Sequence, residues 1–166
     1  LHSVPTRRSS ELGKAADDVF VARYTTSGDL DTSFSGDGIH TFDMGAGASD
    51  QLFGMKIQSD GKIVVAGHNG SGDWGVARLT SSGAMDTSFN SDGIVITDFG
   101  GGGDAARDLV IASDGKILVG GYTNASGKYD FAVARYTSAG VLDSGFSSDG
   151  KATVDVRGSN RDDYAY

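Results

Sequence analysis

The sequence predicts an all-β chain, a β-propeller-like array of about three four-stranded antiparallel blades that together form an incomplete propeller. A seven-residue motif recurs with starts at Asp18, Asp73 and Asp130, which are 55 and 57 residues apart. Glycine contributes 26 of the 166 residues and proline only 1, which favours many tight turns between short strands. Because a period of this size is typical of repeat architectures, we expect each unit to bury its apolar surface against its neighbours.

Two regions are expected along the chain. Residues 1–16 are predicted to be a non-repeat tail, and residues 17–166 the repeat region, with units that start near Asp18, Asp73 and Asp130 and a truncated last unit. The first twelve residues, LHSVPTRRSSEL, are basic and polar and share nothing with the repeats. They resemble the peptide that results when sequencing-adapter DNA is translated, and the alternative is a genuine disordered tail. Since the other end stops inside a unit, we interpret the chain as a fragment of a longer protein.

Each unit is predicted to contain four strands that follow one another as an antiparallel meander. Asp-Gly pairs that end at Gly61 and Gly115 separate apolar segments, and they indicate hairpins because both residue types tolerate positive φ. The predicted strands are 52–57, 63–67, 74–79 and 94–97 in one unit, 107–112, 117–122, 131–136 and 151–154 in the next, and 39–42 at the end of the preceding unit.

The middle strands of each unit are apolar on both faces, whereas the last strand alternates. Strands that are buried on both faces read as continuous apolar segments. We therefore expect the middle strands to lie between neighbouring sheets and the last strand to form a more solvated outer edge. Four-stranded sheets stacked face to face are the blades of a β-propeller. Trp74 is expected to pack between blades rather than to bind a carbohydrate.

A second motif follows the third strand of each unit, at residues 28–38, 83–93 and 140–150, with the form Gly-x-(Leu/Met)-Asp-x-x-Phe-x-x-Asp-Gly. Together with Ser-Asp-Gly-Lys-Ile and Val-Ala-Arg-Tyr, it resembles the delta-60 repeat, a predicted β-propeller repeat of large bacterial proteins. The resemblance covers about residues 18–155. Ser59 and Ser113 stand where the commoner form of that repeat has proline. The resemblance implies a secreted or cell-surface setting and no known reaction.

Three sets of repeated side chains are the candidate site residues, and we interpret them as structural. An arginine within an apolar strand must be paired, so each is expected to make charge-assisted bonds to a linker aspartate or to loop carbonyls. The alternative is a ring of arginines that binds an anionic ligand. A phenylalanine in each linker is expected to plug the core rather than to bind a sugar. The positions are Arg23, Arg78 and Arg135; Asp31, Asp86 and Asp143; Asp37, Asp92 and Asp149; and Phe34, Phe89 and Phe146, with Gly61 and Gly115 in the turns.

Composition argues against several classes of function. The formal net charge of −8 opposes non-specific binding to nucleic acid or to an anionic membrane, and no apolar segment approaches the length of a transmembrane helix. The absence of cysteine excludes disulfides, thiolate zinc sites and a cysteine nucleophile. The three histidines are not repeated, and no pair of them has metal-ligand spacing. We therefore predict no catalytic residue, no cofactor and no metal site.

The sequence is taken to encode a non-enzymatic structural or interaction module of a large secreted or cell-surface bacterial protein. Its expected partners are further blades of the parent chain and a protein or glycan ligand, which would meet the variable segments 43–50, 67–72 and 122–128. An isolated copy is expected to oligomerise or aggregate. One alternative is a calcium-stabilised extracellular repeat, although Asp29-x-Asp31-x-Ser33 has Phe34 where a calcium loop requires glycine. A less favoured alternative is a polysaccharide-active enzyme built on a propeller.

Overall fold

The computed structural model describes residues 10–15, 18–45, 49–101, 103–156 and 162–163, with the backbone alone for 10–15. Within these ranges the secondary structure consists of eleven β-strands, and no helix occurs. The strands are β1 (Ser10–Ala15), β2 (Asp18–Arg23), β3 (Ile39–Phe42), β4 (Gln51–Ile57), β5 (Ile63–His68), β6 (Trp74–Leu79), β7 (Ile94–Thr97), β8 (Ala105–Ile111), β9 (Ile117–Thr123), β10 (Asp130–Tyr136) and β11 (Lys151–Val154). The predicted all-β fold is confirmed.

The strands form three antiparallel sheets in which spatial order follows chain order. They are β1-β2-β3, β4-β5-β6-β7 and β8-β9-β10-β11. The two four-stranded sheets share an irregularity in the first strand, between Leu52 and Gly54 in β4 and between Ala106 and Asp108 in β8. These two sheets are the predicted meander blades, and their equivalent irregularities show that the repeat extends to backbone detail.

The first sheet contains an edge strand, β1, that the sequence analysis did not predict. Residues 1–16 were expected to stand outside the repeat, but β1 pairs with β2 along its whole length, from Ser10 opposite Arg23 to Ala15 opposite Asp18. A strand pairs through backbone groups, so the polar sequence SELGKA can join a sheet without the apolar pattern of the repeats. Residues 10–15 therefore belong to the fold. Residues 1–9 lie outside the described residues.

The core lies between the sheets and not within one closed interior. One cluster joins the first and second sheets and contains Val19, Val21, Phe34, Met44, Ile63, Val65, Ala77 and Leu79. The other joins the second and third sheets and contains Val64, Trp74, Val76, Phe89, Val119, Ala134 and Tyr136. Since successive side chains of a strand point to opposite faces, β5 and β6 supply both clusters. Every residue of β6 is buried, as expected for a strand between two neighbours.

Trp74 shows how the second and third sheets are joined. Its side chain is fully buried, and its indole Nε1 donates a hydrogen bond of 3.0 Å to the carbonyl of Tyr122 in β9. The ring also lies 4.7 Å from that of Phe99. Trp74 thus packs between blades, which agrees with the expectation.

The strand register separates the connections into two ends of the stack. Gln51 lies opposite His68, His68 opposite Trp74, and Trp74 opposite Thr97, so one end of the second sheet carries the connections before β4, between β5 and β6, and after β7. We call this the variable end; among the described residues it comprises 43–45, 49–50, 69–73, 98–101, 103–104 and 124–129. The opposite, repeat end comprises the hairpins 58–62 and 112–116 and the linkers 24–38, 80–93 and 137–150.

Candidate functional site

The repeat end is built around an arginine from the third strand of each unit. In β6, Arg78 Nε donates to Asp86 Oδ2 at 2.7 Å and Nη2 donates to Ser88 Oγ at 3.1 Å. Nη1 donates to the carbonyl of Ser138 in the next unit at 2.6 Å. Arg78 is only 4% exposed. A buried guanidinium requires such partners, and here they join one blade to the next.

The first unit repeats this arrangement, and the third repeats part of it. Arg23 Nε lies 2.9 Å from Asp31 Oδ2, and Nη1 donates to the carbonyl of Ser81 in the second unit. Arg135 Nε lies 2.8 Å from Asp143 Oδ2. Gly145 stands in the third unit where the earlier units have a serine that bonds the arginine. Each predicted arginine therefore contacts a linker aspartate, and the first two also contact the following unit.

Only one of the two predicted aspartate sets contacts the arginines. The other set, whose members lie three residues after the linker phenylalanines, caps the start of the outer strand. In each of these aspartates, Oδ1 accepts a hydrogen bond from the backbone N–H of the residue two positions later. These bonds run from Ile39 to Asp37 (2.8 Å), from Ile94 to Asp92 (2.8 Å) and from Lys151 to Asp149 (2.9 Å). This is an Asx turn, so Asp37, Asp92 and Asp149 fix the linker where it enters the sheet.

The repeated phenylalanines lie beneath the arginines and against the next unit. Phe34 and Phe89 are fully buried, and each ring centre is 4.7 Å from the guanidinium of its own unit. A Cβ atom built on Gly83 would come within 2.9 Å of the Phe34 ring. Gly140 meets Phe89 in the same way. Both glycines also have positive φ, so the close contact between units depends on a residue without a side chain.

Backbone hydrogen bonds complete the contact. The N–H of Ser35 donates to the carbonyl of Ser82 at 2.8 Å, and the N–H of Asn90 donates to the carbonyl of Ala139 at 2.9 Å. We call the arginine, the phenylalanine and this N–H the clamp face of a unit. The loop that receives them is the acceptor loop, which comprises residues 26–28, 81–83 and 138–140 in the three units.

A lysine from the Asp-Gly hairpins also meets the paired aspartates, and sequence reasoning missed it. Lys62 Nζ lies 3.1 Å from Asp86 Oδ2, and Lys116 Nζ lies 3.0 Å from Asp143 Oδ2. Gly61 and Gly115 have φ of 84° and 81°, so they make the turns that present these lysines. The recurrence of Lys directly after Asp-Gly was the available signal.

These contacts determine the electrostatics of Asp86. Burial alone would raise the pKa of this carboxyl, but hydrogen bonds from Ser88 and Lys62 and the charge of Arg78 outweigh it. The pKa of Asp86 therefore lies well below its usual range. The contacts with Arg78 and Lys62 thus favour the ionised form of Asp86.

The variable end contains a different arrangement of acids, which the sequence analysis did not identify. Carboxylate oxygens of Asp73, Asp98 and Asp104 lie within 4.8 Å of one another. Asp130, Asp155 and Asp163 form the equivalent group in the next unit. In the first unit, Asp43 and Asp18 act electrostatically on Asp50. The recurring aspartate that opens each seven-residue motif was noted, but it was not connected with the other two.

One aspartate of each group is buried and anchors the loops. Asp104 accepts from the N–H of Phe99 (3.1 Å), the hydroxyl of Thr123 (2.7 Å) and the N–H of Asn124 (3.0 Å). Asp50 accepts from the N–H groups of Met44 (2.7 Å) and Gly70 (2.9 Å). These bonds hold the connection between units to the neighbouring hairpin.

The same groups keep like charges close together. Burial raises the pKa of Asp73, and the charges of Asp98 and Asp104 raise it further. Burial also raises the pKa of Asp50, against the lowering effect of its backbone hydrogen bonds. Oxygen clusters of this kind suit hard cations. An acidic cluster alone does not identify a ligand, because the buried member already has structural partners.

In the loop that most resembled a calcium site, both carboxylate oxygens of Asp31 already have hydrogen-bond partners. Asp31 Oδ2 is bonded to Arg23, and its Oδ1 accepts from the backbone N–H and the hydroxyl of Ser33. Asp29 accepts a hydrogen bond of 2.9 Å from Ser27. The segment 29–33 is therefore organised by its own side chains and by the arginine.

The stacked meanders and the contacts between units define a β-propeller repeat protein. A family model described as "Domain of unknown function (DUF5122) beta-propeller" matches residues 14–34, 58–89 and 112–146, more than half of the chain. The chain therefore belongs to this family. The matched segments include Arg23, Arg78 and Arg135 together with their aspartates.

Among curated proteins, none matches the chain. In the part of the chain that the structure describes, there is no helix with the length and apolar character needed to cross a membrane.

Proposed function

We propose that the chain is a non-enzymatic structural and interaction module of a large secreted or cell-surface bacterial protein. One observation carries the proposal: the repeated charged and aromatic residues are used to join consecutive units, as at Arg78, Asp86 and Phe89. A ring of arginines open to an anionic ligand would instead leave the guanidinium accessible, and Arg78 is only 4% exposed. The repeated charged and aromatic residues thus stabilise the stack of sheets, and the loops at the variable end are available to bind a ligand.

The variable end suits a binding role because its loops differ in sequence while their bases are fixed. Asp104 holds Thr123 and Asn124 at the base of the hairpin between β9 and β10, whereas residues 125–128 of that hairpin are exposed. A protein or a glycan is the proposed ligand, and further units of the parent chain are the proposed structural partners. The secreted or surface setting is supported by the resemblance to the delta-60 repeat.

Replacement of residues 125–128 by a glycine-serine segment of equal length tests the proposal. We expect the melting temperature to stay nearly unchanged, while binding to a polysaccharide microarray, used as the probe, decreases. The matched control replaces the exposed pair Ser113 and Asp114 of the repeat end by Gly-Ser, and it should leave array binding intact. Release of reducing ends from the same polysaccharides by the unaltered chain would contradict the non-enzymatic assignment.

The calcium-stabilised alternative is tested separately by melting the chain in calcium and in chelator. The module as proposed melts at the same temperature in both. A loss of several degrees in chelator, abolished in Asp98→Asn, would favour the alternative instead, because Asp98 is the exposed member of its acidic group.

A further inference from the structure

We propose that Asn69 is a self-modification site, at which the side-chain amide is lost by cyclisation onto the nitrogen of Gly70 when the hairpin between β5 and β6 opens. The acid that forms then hinders the hairpin from closing again. The inference goes beyond the proposed binding role and does not depend on it. It concerns the second of the three sheets, which has a neighbouring sheet on each side.

The reaction follows from the only Asn-Gly pair in the sequence. Glycine has no Cβ atom to hinder the approach of its nitrogen to the preceding side chain. The nitrogen of Gly70 gives up its proton and bonds to Cγ of Asn69, the bond from Cγ to the amide nitrogen breaks, and ammonia leaves with a proton. Water then opens the five-membered ring at either carbonyl to give aspartate or isoaspartate. In total, water replaces ammonia, and no oxidant or reductant is needed.

The closed hairpin holds the amide of Asn69 in place. The residue is only 3% exposed, and its Oδ1 accepts hydrogen bonds from the N–H groups of Ser71 (3.0 Å) and Asp73 (2.9 Å). The Asn69 side chain also donates to the carboxylate of Asp73. The amide is therefore fixed by several hydrogen bonds and shielded from water while the hairpin is closed.

The attacking nitrogen is held as well. The N–H of Gly70 donates to Asp50 Oδ1 at 2.9 Å, and the other oxygen of Asp50 accepts from the N–H of Met44 at 2.7 Å. The bond to Asp50 keeps the proton on the Gly70 nitrogen, and a negative charge beside that nitrogen disfavours its deprotonated form. Asp50 thus protects the Asn-Gly pair and ties the hairpin to the connection that precedes β4.

The third unit makes the same turn without a reactive amide. Thr123 lies at the position of Asn69, and its Oγ1 accepts a hydrogen bond of 3.1 Å from the N–H two residues later. Asn124 lies at the position of Gly70, and its N–H donates to Asp104 at 3.0 Å. The turn therefore does not require asparagine followed by glycine, and the reactive pair is particular to the second unit.

The hairpin has the features of a segment that opens locally. Gly70 and Ser71 are exposed, and the charges of Asp43 and Asp18 act unfavourably on the ionised form of Asp50. Opening of such a loop requires less free energy than unfolding of the whole chain. The Asn-Gly pair is therefore released from its hydrogen bonds for part of the time in the folded protein.

The product opposes reclosure. An aspartate at position 69 has no amide with which to donate to Asp73, and it places a further negative charge near Asp73 and Asp50. An isoaspartate also adds a carbon atom to the backbone, so the hydrogen bonds of the turn no longer match. The modification thus works in one direction, and it frees the hairpin from Asp50.

Peptide mapping by mass spectrometry, with separation of isoaspartate, measures the reaction at Asn69. The natural chain is incubated at neutral pH, and the same chain unfolded in urea is the open reference. We expect the folded chain to react more slowly by roughly tenfold or more. Equal rates in the two states, or no isoaspartate at position 69 in urea, would overturn the proposal.

Two aspartate variants separate local opening from general loss of stability. Asp50→Ala releases the N–H of Gly70 and should raise the rate at Asn69 in the folded chain several-fold. Asp104→Ala removes the equivalent acceptor of the third unit and should leave that rate unchanged. Equal rates in both variants would show that Asp50 does not protect the pair.

A variant of the glycine tests the cyclisation itself. Gly70→Ala keeps the N–H but hinders ring closure, and the position tolerates a side chain because Asn124 lies there in the third unit. Combined with Asp50→Ala, it should remove most of the isoaspartate. If isoaspartate forms as fast with alanine as with glycine, cyclisation onto residue 70 is not the route.

Hydrogen exchange tests whether the product hinders reclosure. Asn69→Asp reproduces the aspartate product, and Asn69→Thr, which copies Thr123 of the third unit, is the matched uncharged control. We expect the amides of residues 70–73 to exchange several-fold faster in Asn69→Asp than in Asn69→Thr. Equal exchange in the two variants would refute the one-way step. The loop replacement and array binding described above involve residues 125–128, so the two proposals fail independently.

Discussion

The two ends of the blade stack use the same residue type in opposite ways. At the repeat end, Asp86 is surrounded by Arg78, Lys62 and Ser88, and its pKa lies far below the usual carboxyl range. At the variable end, Asp73 lies among other aspartates, and burial and their charges raise its pKa. One end therefore joins units by paired charge, whereas the other retains like charges that weaken the fold.

The difference indicates which contacts contribute most to the stability of the stacked sheets. The contacts of the repeat end cross from one unit to the next, as from Arg78 to the carbonyl of Ser138. At the variable end, Asp104 also joins neighbouring loops, through Thr123 and the carbonyl of Gly72, but it does so by hydrogen bonds without a paired cation. A change at the repeat end should consequently destabilise the stack more than a change at the variable end.

The largest effect is expected at the aromatic part of the clamp. Phe89→Ala should lower the free energy of unfolding by about 4 kcal/mol, since it removes a fully buried ring between two units. Urea denaturation measures the change. Phe146→Ala is the matched control, and its loss should be less than half as large because that ring is only partly buried. Equal losses would show that contact between units adds nothing to burial within a unit.

The second largest loss of stability is expected when the arginine of the clamp face is replaced. Arg78→Met should destabilise the chain by about 3 kcal/mol, because it leaves the buried Asp86 with Lys62 as its remaining cation. Arg135→Met should cost less than about 1 kcal/mol in the monomer, as its side chain is partly exposed. An unchanged melting midpoint for Arg78→Met would refute the structural interpretation of the arginines.

At the variable end, replacement of the buried Asp104 should have a moderate effect on the free energy of unfolding. Asp104→Ala should cost about 2 kcal/mol, because the N–H groups of Phe99 and Asn124 and the hydroxyl of Thr123 lose their acceptor. Asp104→Asn keeps one acceptor oxygen and should lose less. If both variants are as stable as the natural chain, relief of charge repulsion outweighs the hydrogen bonds at this end.

The smallest effect is a dependence on pH with opposite sign at the two ends. The raised pKa of Asp73 means that its ionised form is less stable in the folded chain than in the unfolded chain. Asp73→Asn should therefore stabilise the chain near pH 7, by roughly 0.5 kcal/mol given solvent screening. The gain should disappear as the pH falls through the folded-state pKa of Asp73, which lies above 3.8. Urea denaturation across this pH range measures it.

Asp86→Asn provides the contrasting case. A lowered folded-state pKa contributes stability that is present above the unfolded-state pKa and lost as the pH falls through the folded-state value. Asp86→Asn should thus destabilise the chain at pH 7 and at pH 5 alike, with the difference vanishing only in strong acid. The same sign for both variants would contradict the comparison between the two ends.

Much of the fold could be predicted because periodicity is a local property of the sequence. The period located the units, the apolar segments located the middle strands, and the Asp-Gly pairs located hairpins at Gly61 and Gly115. The same reasoning failed at β1, because Ser10–Ala15 pairs through its backbone and carries no apolar pattern. It also left open which of two aspartates in each linker meets the arginine.

The sequence by itself determined that the chain is a series of similar sheets without a separate interior, since apolar strands at a fixed period require neighbours of the same kind. Only the tertiary structure decided which groups meet. It paired Arg78 with Asp86 and not with Asp92, brought Lys62 to the same carboxylate, and gathered Asp73, Asp98 and Asp104 at one end. The physical reason is that hydrogen bonds and charge pairs depend on distances of a few ångströms, which the stacking of sheets sets and the spacing of residues along the chain does not.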